Sequence, residues 1–202
     1  MKKVFLVLYF MYMMQANAKE SMPVELSASI GLVNVSYSES ESKLAGMTNI
    51  SEAQSGRVSA LSANFNYKIF PSYNSSWFLS GIVPFLSSSG DAFFSLGGGY
   101  EYYFSTLGNK TIVEDSGTSL KMSPKFHFFV GGELDIGYLV YTTEEAQKTD
   151  VLFEIGFTGG AVYAWKKDWA IRSQLSVAKG VGVATSTIGI KVFIGGTYYL
   201  ED

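Results

Sequence analysis

The final stretch, "ATSTIGIKVFIGGTYYL", alternates apolar side chains with polar or small ones almost to the end of the chain. Ile188, Ile190, Val192, Ile194, Tyr198 and Leu200 share one parity; Thr187, Lys191, Thr197 and Tyr199 share the other. Successive side chains of a strand point to opposite faces, so this period predicts a two-faced strand. Chain ends usually fray and are polar. This end reads as a structural element with no tail beyond Glu201 and Asp202.

Earlier stretches repeat the pattern. In "VELSASIGLVNVSY", Leu26, Ala28, Ile30 and Leu32 oppose Glu25, Ser27, Ser29 and Gly31. "RVSALSANFNYKIF" sets Leu61, Ala63, Phe65, Tyr67 and Ile69 against Ser62, Asn64, Asn66 and Lys68. "DAFFSLGGGYEYYF" sets Phe94, Leu96, Tyr100 and Tyr102 against Ser95, Gly97, Gly99 and Glu101. The longest, "KFHFFVGGELDIGYLVY", places Phe126, Phe128, Val130, Leu134, Ile136, Tyr138 and Val140 opposite Lys125, His127, Glu133 and Asp135. "VLFEIGFTGGAVYAW" and "DWAIRSQLSVAK" continue it, with Glu154, Thr158, Arg172 and Gln174 on their polar faces. "SSWFLSGIVPFLSS" is the weakest, with two rather apolar faces and Pro84, which removes a ladder donor. About eight strands result, most at or above the ~9–11 residues that a tilted strand needs to cross hydrocarbon. The links "PSYNSS", "SSSGD" and "KKD" predict antiparallel hairpins.

The start sets the compartment. Lys2 and Lys3 precede an apolar run from Val4 to Met14, and "QANA" places Ala16 and Ala18 in the small-residue pattern cut by signal peptidase. The run is too short to span a bilayer as a helix. Residues 1–18 are therefore expected to be a cleaved signal peptide and 19–202 one β-barrel domain. There are no cysteines, hence no disulfide and no thiolate metal site. The net charge of −3 argues against nucleic acid or an anionic surface as partner.

A soluble barrel hides its apolar face and needs a charged outer one. Here charged residues are only 16% of the chain, mean hydropathy is +0.15, and the second face is mostly Ser, Thr, Gly and Asn. Aromatics such as Tyr67, Trp77, Tyr163, Trp169 and Tyr198 gather near strand ends, which is the girdle pattern of outer-membrane barrels. Strands in lipid must close on themselves, because an open edge leaves backbone groups unpaired. The last strand is then expected to pair with the first.

On this layout the chain resembles the small eight-stranded outer-membrane barrels of the OmpA/OmpX type. The resemblance implies an all-β, closed antiparallel up-and-down transmembrane barrel in the outer membrane of a Gram-negative bacterium. It implies outer-membrane lipid and lipopolysaccharide as surroundings, and the barrel-assembly machinery as a partner during biogenesis. Gly195, Tyr198 and Leu200 resemble the terminal signal read by that machinery.

With both termini periplasmic, outside loops are expected near 39–56, 87–91, 142–150 and 179–183, and inside turns near 71–75, 105–123 and 166–168. The segment 105–123 is long for an inside turn. It is either a small hairpin below the membrane or an extra strand pair making ten; eight is the expectation.

The polar face then lines the lumen, with Lys68, Lys125, Arg172 and Lys191 among Glu101, Glu133, Asp135 and Glu154, and with His127. An eight-stranded interior is just wide enough for side chains to fill, and buried charges must pair. A plugged lumen is expected, with a narrow porin-like channel as alternative. A soluble exported lipocalin-like barrel around an apolar ligand is the other alternative.

No enzyme is expected. Acyl-transfer or proteolytic chemistry wants a histidine beside a serine or carboxylate, and the single His127 lies between Phe126 and Phe128. The adjacent Glu144 and Glu145 point to opposite faces of an extended segment. "GGG" at 97–99 precedes no helix, so it is no phosphate loop. Glu39, Glu41 and Glu52 are too scattered for calcium. No cofactor is expected, and any surface ligand stays open.

Overall fold

The structure is a computed structural model. It describes residues 24–39, 54–72, 74–87, 90–104, 111–115, 118–122, 125–143, 146–166 and 168–200. Its strands are β1 (Val24–Glu39), β2 (Ser55–Ser72), β3 (Ser75–Ser87), β4 (Ala92–Tyr103), β5 (Thr111–Asp115), β6 (Thr118–Met122), β7 (Phe126–Thr142), β8 (Gln147–Ala164), β9 (Trp169–Gly182) and β10 (Thr185–Leu200). Eight of them close into one barrel in the order β1-β10-β9-β8-β7-β4-β3-β2. Every neighbouring pair is antiparallel. The expected signal peptide with Ala16 and Ala18, and the acids Glu201 and Asp202, lie outside the described residues.

β10 does close the ring. It pairs with β1 along the full length of both, from Val24 opposite Leu200 to Glu39 opposite Thr185. No sheet edge is left in the barrel, which is what a chain with an apolar outer wall needs.

The segment 105–123 does not widen the barrel. β5 and β6 form a separate two-stranded sheet, with Asp115 opposite Thr118, while β4 pairs directly with β7. The expectation of eight strands and a side hairpin holds. Two loops are shorter than expected, because β8 starts at Gln147 and β9 runs to Gly182, leaving Val183 and Ala184 as the link to β10. Pro84 sits at a register shift, where Leu61 faces Leu86 but Ser62 faces Pro84. The bulge absorbs the missing donor, as prolines in sheets require.

Burial alternates along the strands, and the apolar parity is the exposed one. Ile30, Phe65, Leu96, Leu134, Phe157, Val177 and Ile190 all face outward. This does not favour the lipocalin-like alternative, which needs that face inside. The outer wall carries aromatic pairs near the end where the termini meet: Trp77–Tyr100, Phe126–Tyr163 and Trp169–Tyr198, with ring centroids 5.0, 4.8 and 4.9 Å apart.

Near the opposite, loop-bearing end the alternation inverts. Along β1 the outward series Leu26, Ala28, Ile30, Leu32 gives way to Asn34, Ser36 and Ser38, while Val33, Val35 and Tyr37 turn inward. β2 does the same, with Ser59, Arg57 and Ser55 outward and Val58 and Ala60 buried. Here the barrel is built like a soluble one.

Candidate functional site

The interior is layered. Towards the terminal end, next to a buried apolar cluster of Phe70, Tyr103, Phe129, Val162 and Ala170, Glu101 on β4 is held between two cations. Lys68 Nζ donates to its Oε2 at 2.5 Å, and Arg172 Nη2 donates to its Oε1 at 2.5 Å. Tyr103 donates its hydroxyl to the same carboxylate at 2.7 Å. Glu25 lies 3.8 Å from Lys68, so two acids face two cations. The Arg172 guanidinium lies over the Phe129 ring, 3.8 Å from its centroid. Such charge-assisted bonds are shorter and stronger than neutral ones, and the ring covers the cation face that makes none.

The next layer is unequal in charge. Lys191 Nζ on β10 reaches Asp135 and Glu154 at 3.0 Å each and Glu133 at 3.6 Å. Ser176 donates to Glu133 at 3.3 Å, and Gln174 donates to Ser176 at 3.3 Å. All four charged side chains are buried. Antiparallel pairing explains the convergence: Asp135 faces Glu154 in the β7–β8 ladder, so both project into the same level.

Above this lies an apolar layer. Val33, Val35, Tyr37, Val58, Ile82, Phe93, Leu139, Tyr141, Leu152 and Phe193 form one buried cluster, with Tyr37 and Tyr141 4.5 Å apart. At the rim, Glu39 accepts bonds from Tyr141 and Lys148, each at 2.9 Å. Asp150 accepts from the backbone N–H of Val183, Ala184 and Thr185 at 3.2, 3.0 and 2.9 Å, which fixes the β9–β10 turn.

Glycines make the large inward rings possible. A side chain at Gly160 would run into the Phe129 ring, and one at Gly137 into the Phe93 ring.

Of the residues singled out in the sequence, Lys68, Glu101 and Arg172 meet in the first layer, and Glu133, Asp135, Glu154 and Lys191 in the second. His127 is buried and points inward from β7. Lys125 departs from the reading. It sits on the bend just before β7, is exposed, and belongs to neither layer. The barrel wall begins one residue later, so nothing encloses it. Glu25 was the omission: its parity matches Lys68, which it faces across the β1–β2 ladder. The apolar layer was also missed, because its residues carry the parity read as polar. Gly195 packs edge-on to Ala28 and Ser29 in the seam, and Tyr198 and Leu200 face outward.

No family model matches the chain, and neither does any curated protein. Solved structures share its fold. The crystal structure of Neisserial surface protein A superposes with a TM-score of 0.52 at 10% identity, covering 85% of this chain and 96% of that one. The N-terminal β-barrel domain of Pseudomonas aeruginosa OprF gives 0.53 at 11% identity, covering 90% of this chain and all of that domain. The fold is that of the small outer-membrane barrels.

Proposed function

We propose that the chain is an integral outer-membrane barrel with a structural or surface-contact role and a lumen closed by its own side chains. The observation that carries this is the pairing of two facts about one wall: the ring has no open edge, and its outward parity is apolar from strand to strand. That surface is stable in hydrocarbon and costly in water. The expected periplasmic termini put the aromatic pairs at the inner interface and the rim of Glu39, Lys148 and Asp150 outside the cell.

The layered interior supports a plug over a channel. The two charge layers are crossed by mutual salt bridges, and the apolar layer above them offers ions no polar path. Buried His127 has a structural place in this reading, which is non-enzymatic and cofactor-free. Lipid and lipopolysaccharide surround the barrel, and the assembly machinery reads its last strand.

The test is heat-modifiable gel mobility of the mature chain, together with carbonate extraction of membranes. A folded form that migrates differently from the boiled one and stays in the pellet supports the reading. Release into the carbonate supernatant defeats it. Solute conductance in planar bilayers comparable to an open porin would defeat the plug alone.

A further inference from the structure

Nearly every charge on the barrel strands points inward. Glu25, Glu39, Lys68, Glu101, Glu133, Asp135, Lys148, Asp150, Glu154, Arg172 and Lys191 all share the inward parity of their strands. Among the described strand residues of the barrel, two charged side chains face outward: Arg57 on β2 and Lys179 on β9. Both are cations and both are exposed. No described ion pair includes either.

They also share a place. Arg57 faces Ser36, Ser36 faces Ile188, and Ile188 faces Lys179, so one hydrogen-bonded row across β2, β1, β10 and β9 joins them. Three strand spacings separate them, about 14 Å. One step towards the termini, Ser59 donates to Asn34 at 2.6 Å on the same outer wall.

Depth follows from counting. Arg57 lies ten residues along β2 from Tyr67, and Lys179 ten along β9 from Trp169, both outward aromatics of the terminal end. Ten residues of a strand tilted by about 40° rise roughly 25 Å, the height of the apolar band of an outer-membrane barrel. On β1 and β2 the pattern inverts at Asn34 and Ser59, which marks the edge of the hydrocarbon there. The row is perpendicular to strands tilted by about 40°, so Lys179 lies roughly 9 Å nearer the termini than Arg57, and its ammonium reaches the headgroup zone by snorkelling past the apolar Val181. A cation there meets lipid headgroups, and the outer leaflet's headgroups are phosphorylated glycolipid.

We infer that Arg57 and Lys179, with Ser36 in the row between them and the Ser59–Asn34 pair one step nearer the termini, form a binding patch for the phosphate groups of outer-leaflet lipopolysaccharide. The net charge of −3 does not oppose this. The acids of the barrel strands lie inside or at the rim, and the outer wall at this depth is positive. The inference rests on the outer-membrane reading above.

The experiment uses the mature chain refolded in detergent, with heat-modifiable mobility verified first. Binding of bisphosphorylated lipid A and of dephosphorylated lipid A is then compared for the parent, Arg57→Gln, Lys179→Gln, the double variant, and Lys166→Gln at the opposite end. The parent is expected to prefer the phosphorylated form. Each single variant is expected to lose about fivefold and the double about 25-fold, the scale of one or two cations at an anionic lipid surface. Lys166→Gln is expected to bind like the parent, and added salt to narrow all differences. Equal affinity for the two lipids, or an undiminished preference in the double variant, overturns the patch. Competition by millimolar inorganic phosphate to the same extent as by lipid A would make it a phosphate site and overturn the headgroup assignment. A chain that never shows the heat-modifiable form takes the barrel reading down before any lipid is added, which separates the two failures.

Discussion

Glu101 and Arg172, 71 positions apart in the chain, meet across the barrel interior at 2.5 Å. Lys68 binds the other oxygen of the same carboxylate at 2.5 Å, so removing the acid leaves two buried cations with only Glu25, 3.8 Å from Lys68, to balance them in that layer. Glu101→Ala is expected to cost about 3–5 kcal/mol, as for other broken buried pairs. A double change, Glu101→Leu with Arg172→Met, removes one charge of each sign and is expected to cost less than Glu101→Ala. Urea unfolding in detergent micelles measures both. A double variant less stable than the single would show that the pair itself, and not the orphaned charge, sets the cost.

The outer wall gives a second expectation. Leu134 and Ile190 face outward with 52% and 45% of their surface exposed, and each lies mid-strand. Arginine at Leu134 is expected to cost about 2–4 kcal/mol in a bilayer, and at Ile190, which faces Asn34 near the edge of the apolar band, about 1 kcal/mol. Thr158 is buried on the inward face, so Thr158→Arg is expected to act by crowding, and therefore to destabilise the barrel in detergent as well. Folding yield in vesicles and in micelles separates the two mechanisms. Normal insertion of Leu134→Arg would reverse the assignment of faces.

Proteolysis tests the orientation. Lys43 lies between β1 and β2, outside the described residues, whereas Arg57 is inside the β2 ladder opposite Ser36. Trypsin added to whole cells is expected to cut at Lys43 and to spare Arg57, whose backbone is held in the sheet. Cutting at Lys43 only after the outer membrane is opened would place the β1–β2 loop in the periplasm.

What could be read from the sequence follows from physics that is local. The parity of Ile188 to Leu200 is fixed by the pleat, so face and strand identity were legible without any partner. Register was not. Nothing near Ser62 in the chain specifies that it meets Pro84 across a bulge. The charge layers were half legible: parity put Asp135 and Glu154 on the inward face, but only the β7–β8 pairing sets them at one level around Lys191. The apolar layer of Val33, Val35 and Tyr37 was hidden by carrying one parity rule through the whole of β1. The rule inverts where the strand leaves the apolar band. Lys125 failed for a related reason, since parity holds only inside the wall and the wall starts at Phe126.

The final strand carries the last expectation. Tyr198 is 36% exposed, stacks on Trp169 at 4.9 Å, and lies opposite Leu26 across the closing seam. Leu200 faces outward opposite Val24. Neither is a packed-core residue, so Tyr198→Ala is expected to cost about 1 kcal/mol or less of folding energy, against roughly 3–5 for a buried ring. If the strand is also the signal read during assembly, Tyr198→Ala with Leu200→Ala will lower the amount of protein in the outer membrane far more than that loss explains. Outer-membrane abundance in cells is compared with refolding yield in detergent. Loss in cells with normal refolding supports recognition of the terminus. Equal loss in both assays makes β10 a closing strand only, its aromatic needed for the seam with β1 and β9. Normal abundance of the double variant removes Gly195, Tyr198 and Leu200 as a signal and leaves the ring closure as their whole role.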